Sequence, residues 1–198
     1  MIRVVLFDFG GVVAEEGFYH GLHAIAEESG LDPESFFRTA EELIHRIGYV
    51  TGNATEAEYW AVVREKTGIT RSDVYLRERI LSRFVVRPQM LDHIDRLRAA
   101  GQKVSILSDQ TDWLDELNSR SPFYRHFDRV YNSFTLHKSK RDATVFADVC
   151  RDLAVAPGET LFVDDNIHNV TRAESVGLLT IHFVDIGQFA RALKGFGF

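Results

Sequence analysis

The sequence predicts an α/β fold, a parallel sheet with helices on both faces, broken near its start by an inserted helical segment. Val4-Val5-Leu6-Phe7 is apolar without alternation, and Thr160-Leu161-Phe162-Val163 repeats the design. A strand covered by helices on both faces has no polar side to show. From Arg87 onward, short apolar runs alternate with segments of helical period, which implies right-handed crossovers and parallel pairing. Between about Glu16 and Phe84 there is helix after helix and no convincing strand. The expected division is therefore an α/β core of residues 1–15 and 86–198 and a helical insertion of residues 16–85.

The first strand, 4–7, runs into Asp8-Phe9-Gly10-Gly11-Val12. Open α/β sheets bind ligands in the crevice outside the carboxyl ends of their strands, so chemistry is expected at this acid. Gly10 and Gly11 let backbone amides approach an anion closely. In the insertion, Asp32-Pro33 starts a helix on which Phe36, Phe37, Ala40, Leu43, Ile44 and Ile47 recur at helical spacing, and Gly48 ends it. Thr55 with Glu58 fits a capping box for a helix through Tyr59, Trp60 and Val63 that stops near Gly68. A last inserted helix is expected at about 72–84. Phe18 and Tyr19 fit either a pocket lining or a hydrophobic staple for the first inserted helix. Pro88 then opens a helix bearing Met90, Leu91, Ile94 and Leu97, and Gly101 stops it. A strand at 104–107 ends in Ser108-Asp109. Helices at 111–118 and 143–153 flank a short strand at 129–131. The strand 160–163 delivers Asp164-Asp165-Asn166, and a helix at 169–176, a strand at 179–183 and a closing helix from Gly187 finish the series.

Composition bounds the partners. The 198 residues suffice for one substantial core and a small insertion. Hydrophobic residues at 45% and charged residues at 26% are ordinary for a globular protein. A net charge of -6 repels nucleic-acid backbones and anionic membrane surfaces, and the basic run Lys138-Ser139-Lys140-Arg141 is too short to reverse that. The single cysteine, Cys150, excludes an intrachain disulfide and a cysteine-rich metal site and is expected to pack in its helix. The opening residues lack a secretory pattern and no apolar run approaches the ~20 residues that span a bilayer, so a cytoplasmic location is expected. The aromatic residues of the insertion suit a homodimer interface or the insertion's own core equally well.

Polar stations stand at the strand carboxyl ends or just beyond them: Asp8, Ser108, Lys140 and the pair Asp164-Asp165. Each residue type has a task in phosphoryl transfer. A carboxylate can attack phosphorus to form an aspartyl-phosphate. A hydroxyl and an ammonium stabilise the equatorial phosphoryl oxygens. Carboxylates from adjacent strands suit Mg²⁺, which neutralises charge between nucleophile and substrate.

In order and spacing these residues resemble the four motifs of the haloacid dehalogenase (HAD) superfamily, over nearly the whole chain. The resemblance implies a Rossmann-like core with a helical cap formed by residues 16–85. It implies catalytic roles for Asp8 as nucleophile and for Ser108 and Lys140. Phe9, Gly10, Gly11, Ser108, Asp109 and Lys140 would bind substrate, and Asp8, the Gly10 carbonyl, Asp164 and Asp165 would hold Mg²⁺. The implied activity is hydrolysis of a small phosphorylated metabolite, with sugar phosphates favoured.

Three departures qualify the match. HAD phosphatases usually place a second aspartate two residues after the nucleophile to serve as general acid and base, and here Gly10 stands there. This variant resembles a cap-bearing branch that includes glucose-1-phosphate phosphatases, whose anomeric leaving oxygen needs less help. Asp109 follows Ser108 where many relatives carry asparagine. Nearby negative charge should raise its pKa, making a protonated Asp109 a candidate for the absent acid. Arg141 replaces a frequent proline, which leaves Lys138 a competitor of Lys140. Two rival readings are a metal-independent 2-haloacid dehalogenase, against which the acid pair argues, and a catalytically weak HAD-like module binding a phosphorylated ligand or a protein. His20, His23 and His45 in the insertion, and His137 and His168 near the later motifs, fit packing or loop positions as well as site roles.

Overall fold

The computed structural model describes residues 1–198. In chain order its elements are β1 (Val4–Phe7), α1 (Gly17–Glu28), α2 (Pro33–Arg46), α3 (Glu56–Thr67), α4 (Asp73–Leu81), α5 (Pro88–Ala99), β2 (Lys103–Ser108) and α6 (Trp113–Arg120). There follow β3 (Arg129–Asn132), α7 (Ser133–Leu136), α8 (Thr144–Asp152), β4 (Thr160–Asp164), α9 (Ile167–Ser175), β5 (Leu179–His182) and α10 (Ile186–Gly195). The five strands form one sheet in the order β3-β2-β1-β4-β5, parallel throughout.

The unbroken apolar run of β1 has the expected cause. Val4 and Leu6 join one cluster with Phe146, Val149 and Cys150 of α8, while Val5 and Phe7 join another with Ile94 of α5 and Phe189 of α10. Both sides of the strand are covered, and all four residues are fully buried. The second cluster continues without a break into Leu22, Leu43, Tyr49 and Trp60 of the inserted helices, so insertion and core share one apolar interior.

Local chemistry sets the helix ends. Asp32 accepts from the Ser35 N–H at 2.8 Å to start α2. At α3 both halves of the capping box form: Glu58 accepts from the Thr55 N–H at 2.7 Å, and the Thr55 hydroxyl accepts from the Glu58 N–H at 3.3 Å. α4 stops at Leu81, three residues short of the expected 84. Phe84 must leave the helix to stack on Phe9, with ring centroids 5.8 Å apart, and Val86 must bridge Ala14 on the way back to the core. At α1 the staple expectation fails, because Phe18 and Tyr19 lie inside the first turn. The cap is instead the Glu16 carboxylate, which accepts from the Tyr19 N–H at 2.5 Å. The short α7 had no counterpart in the sequence reading, since a single turn has no period to detect.

β1 lies between β4 and β2, with Phe7 opposite Val163 on one side and Ile106 on the other. The chain passes from β1 to β2 and β3, then crosses back to β4 and β5, which makes the β1/β4 crevice the topological switch point. Two antiparallel linkers enter and leave the insertion: the Glu15 N–H donates to the Val85 carbonyl, and the Arg87 N–H to the Val13 carbonyl, each at 2.9 Å.

Candidate active site

Register alone brings Asp8 beside Asp164, and Ser108 ends the strand on the other side. Asp8 Oδ1 accepts from the Ser108 hydroxyl at 2.6 Å and from the Phe9 N–H at 2.7 Å. The Lys140 ammonium lies 2.8 Å from Asp8 Oδ2 and 2.6 Å from Asp164 Oδ2, with its side chain only 2% exposed. Asp164 also accepts from the Asn166 N–H at 2.7 Å and from the Asn169 amide at 3.2 Å. Lys138, the competing lysine, points away and pairs with Asp148 and the Thr144 hydroxyl.

Asp165 completes the acidic group: oxygens of Asp8, Asp164 and Asp165 lie within 4.8 Å of one another. Its carboxylate occupies the space where Gly11 has no side chain. A Cβ at Gly11 would fall 2.0 Å from Asp165 Oδ2, and the φ of +77° there already favours glycine. The Arg87 guanidinium holds this loop from outside, donating to the carbonyls of Gly11 and Val12 and to the Glu15 carboxylate.

The charges do not balance internally. Burial pushes the Asp8 carboxyl well above its ordinary range, and Lys140 only partly offsets this. Asp165 is raised by burial and then by Asp164. Burial works against the Lys140 ammonium, but Asp164 and Asp8 outweigh it and hold its pKa above the usual lysine value. One ammonium thus faces three carboxylates that no other cation contacts closely. Such a set of hard oxygen donors fits a divalent cation such as Mg²⁺.

Asp109 lines the cleft above these groups and also serves the lysine loop. Both of its oxygens accept from the backbone N–H of Lys140, at 2.9 and 3.1 Å. Burial raises its pKa, and both of its oxygens already hold the lysine loop through that one N–H.

Above these groups opens a cleft of about 580 Å³ lined from both halves of the chain. Phe18, Tyr19 and Phe37 contribute from the insertion, and Gln110, Trp113 and Arg172 from the core. His45 and His168 also line it, whereas His20 and His23 do not; the His23 ring packs on Tyr19 with centroids 4.0 Å apart. His137 sits beyond the cleft with its Nδ1 2.9 Å from the Thr51 carbonyl oxygen. Burial and the Arg141 charge lower the His45 pKa to about 4. Glu16, read in the sequence only as the start of the insertion, also lines the cleft, with its pKa raised to about 7 chiefly by burial. Sequence reasoning gave Glu16, Gln110, Trp113 and Arg172 no site role; the two that follow Ser108 closely, Gln110 and Trp113, were detectable from that proximity.

The fold and the polar groups at its switch point define a class, α/β proteins with a site at the carboxyl end of a parallel sheet. The chain belongs to the haloacid dehalogenase-like hydrolases, whose family model matches residues 2–177. D-ribitol-5-phosphate phosphatase from Bacteroides thetaiotaomicron is 26% identical over 192 residues, covering 91% of each chain. Sesquiterpene phosphatase from Aspergillus oryzae is 23% identical over 92% of this chain and 80% of its own. A further 67-residue match, 35% identical, is to drimenol cyclase from Aspergillus calidoustus, of whose length it spans 13%. Among solved structures, a HAD family enzyme from Bacteroides thetaiotaomicron superposes with a TM-score of 0.74 at 25% identity, over 91% of this chain and 92% of that one. No helix is long and apolar enough to cross a membrane.

Proposed function

We propose that the protein is a Mg²⁺-dependent phosphatase that hydrolyses a small phosphorylated metabolite, a sugar or sugar-alcohol phosphate favoured, through an aspartyl-phosphate on Asp8. The observation that carries this reading is the state of Asp8 itself: a carboxylate fixed by a hydroxyl, an amide and a buried ammonium at the floor of an open cleft. A capping residue would not gather two further carboxylates. The 26% identity to a sugar-alcohol phosphatase along 91% of the chain supports the substrate class.

In this mechanism an Asp8 oxygen attacks phosphorus while the Ser108 hydroxyl and the Lys140 ammonium donate to the phosphoryl oxygens. Lys140 favours the ionised form of Asp8, opposing the effect of burial, and is itself kept in register by Asp109. Mg²⁺, held by Asp8, Asp164 and Asp165, would supply the positive charge that lets a dianionic substrate approach a carboxylate. Water then hydrolyses the acyl phosphate and frees Asp8. Residues 16–85 act as a cap that screens the site from bulk water.

The test is phosphate release from sugar phosphates, sugar-alcohol phosphates, an isoprenoid phosphate, nucleotides and acetyl phosphate, with and without Mg²⁺. Metal-dependent release that Asp8→Asn abolishes is the expected result. Chloride release from a 2-haloacid that persists in chelator would replace this reading with the dehalogenase.

A further inference from the structure

Expulsion of an alkoxide from a phosphate ester requires a proton, and water activation in the second step requires a base. The acids that line the cleft are Asp8, Glu16, Glu41, Asp109 and Asp165. Asp8 and Asp165 belong to the nucleophile and cation group. Asp109 is occupied by the Lys140 N–H through both oxygens. Glu41 is ion-paired with Arg141 at 3.1 Å. His168 is exposed at the rim, and His45, kept neutral by burial, has no readily given proton.

Glu16 remains, and its geometry suits the task. One carboxylate oxygen is tied down by the Tyr19 N–H at 2.5 Å, which fixes the group's orientation at the start of α1. The other, Oε1, has no hydrogen-bond partner within the protein and lies 3.6 Å from where a side chain on Gly10 would begin. Gly10 is two residues past the nucleophile, and its missing side chain leaves a narrow space bounded by the Phe84 ring, the Gln110 amide and the Glu16 carboxyl. No cation pairs with Glu16, and a carboxyl sheltered from water without one favours its protonated form.

We propose that Glu16, reaching in from the start of the insertion, is the general acid and base of the reaction, an assignment that rests on the phosphatase reading above. In the first step Asp8 bonds to phosphorus, the bond from phosphorus to the ester oxygen breaks with its electron pair on that oxygen, and the Glu16 proton joins it to release an alcohol. In the second step the Glu16 carboxylate takes a proton from water as the water oxygen attacks phosphorus. The bond to Asp8 breaks, its electron pair returns to the carboxylate, and phosphate leaves with Glu16 protonated again.

The test compares two esters at saturating Mg²⁺: 4-nitrophenyl phosphate, whose leaving phenolate needs no proton, and the best alkyl phosphate of the substrate panel. Glu16→Gln keeps an oxygen to cap α1 but cannot donate. It should lower kcat/KM for the alkyl phosphate by about 10²–10⁴-fold and leave kcat/KM for the nitrophenyl ester near wild type. Because water activation is also impaired, a burst of nitrophenolate followed by slow turnover is expected. Glu15→Gln, which breaks only a contact with Arg87 outside the cleft, should leave the ratio between the esters unchanged. Equal losses on both esters would assign Glu16 to helix capping alone, and no loss on either would remove it from the reaction; both results overturn the proposal while sparing the phosphatase reading. Absence of phosphate release by the wild type from every ester overturns both.

Discussion

At the scale of single residues the site depends on fixed charge and on two missing side chains. Asp8→Asn removes the nucleophile while keeping its volume and should lower turnover by about 10⁴-fold or more, read as phosphate release in Mg²⁺. Gly11→Ala adds a methyl group where φ is +77° and the Asp165 carboxylate already sits. The backbone strain should cost about 1–2 kcal/mol in denaturant unfolding, and the displaced carboxylate should raise the Mg²⁺ concentration for half-maximal activity. An unchanged Mg²⁺ requirement would separate Asp165 from the cation. Asp8, Ser108 and the Asp164-Asp165 pair were legible in the sequence because strand ends in a parallel sheet converge whatever surrounds them. Lys140 could not be told from Lys138 there, because only the fold shows which ammonium turns inward. Glu16 escaped notice for the same reason: its partner in space, Gly10, offers no side chain to signal the meeting.

Elements that carry their own punctuation were readable, and those shaped by distant partners were not. Thr55 with Glu58, Asp32 with Pro33, and Gly68 gave α2 and α3 nearly to the residue, since capping is decided within one turn. Thr55→Ala should therefore cost about 1 kcal/mol, seen as a lowered Tm with activity retained. The end of α4 is set instead by the Phe84–Phe9 stack with the core, which no local pattern announces. α2 also brings a pH dependence. His45 titrates near 4 when folded and near 6.5 when unfolded, so the unfolded chain binds the extra proton first. Its contribution is complete above about pH 6.5 and is lost as pH falls towards 4. His45→Gln should flatten the decline of Tm over that interval relative to the wild type.

Over the whole molecule, the insertion is fastened to the core far from its linkers. The Tyr49 hydroxyl donates to Asp112 at 2.6 Å, the Ser133 hydroxyl to the Val50 carbonyl at 2.6 Å, and Trp113 stacks on Trp60 with centroids 6.1 Å apart. If cap release limits turnover, Tyr49→Phe should raise kcat and KM together; a fall in kcat with unchanged KM would place the limit in chemistry. That the two halves share one apolar interior could not be read from the sequence, because periodicity reports a buried face without naming what covers it. The position of β1 has a consequence for how the chain is made. It precedes both of its sheet neighbours along the chain by a wide margin, β2 starting at residue 103 and β4 at residue 160. Until both are made Val4-Val5-Leu6-Phe7 has two open edges and no cover, the condition in which nascent strands pair with other chains. An unpaired, uncovered β1 makes the interval before β2 and β4 are made one in which the chain is open to aggregation.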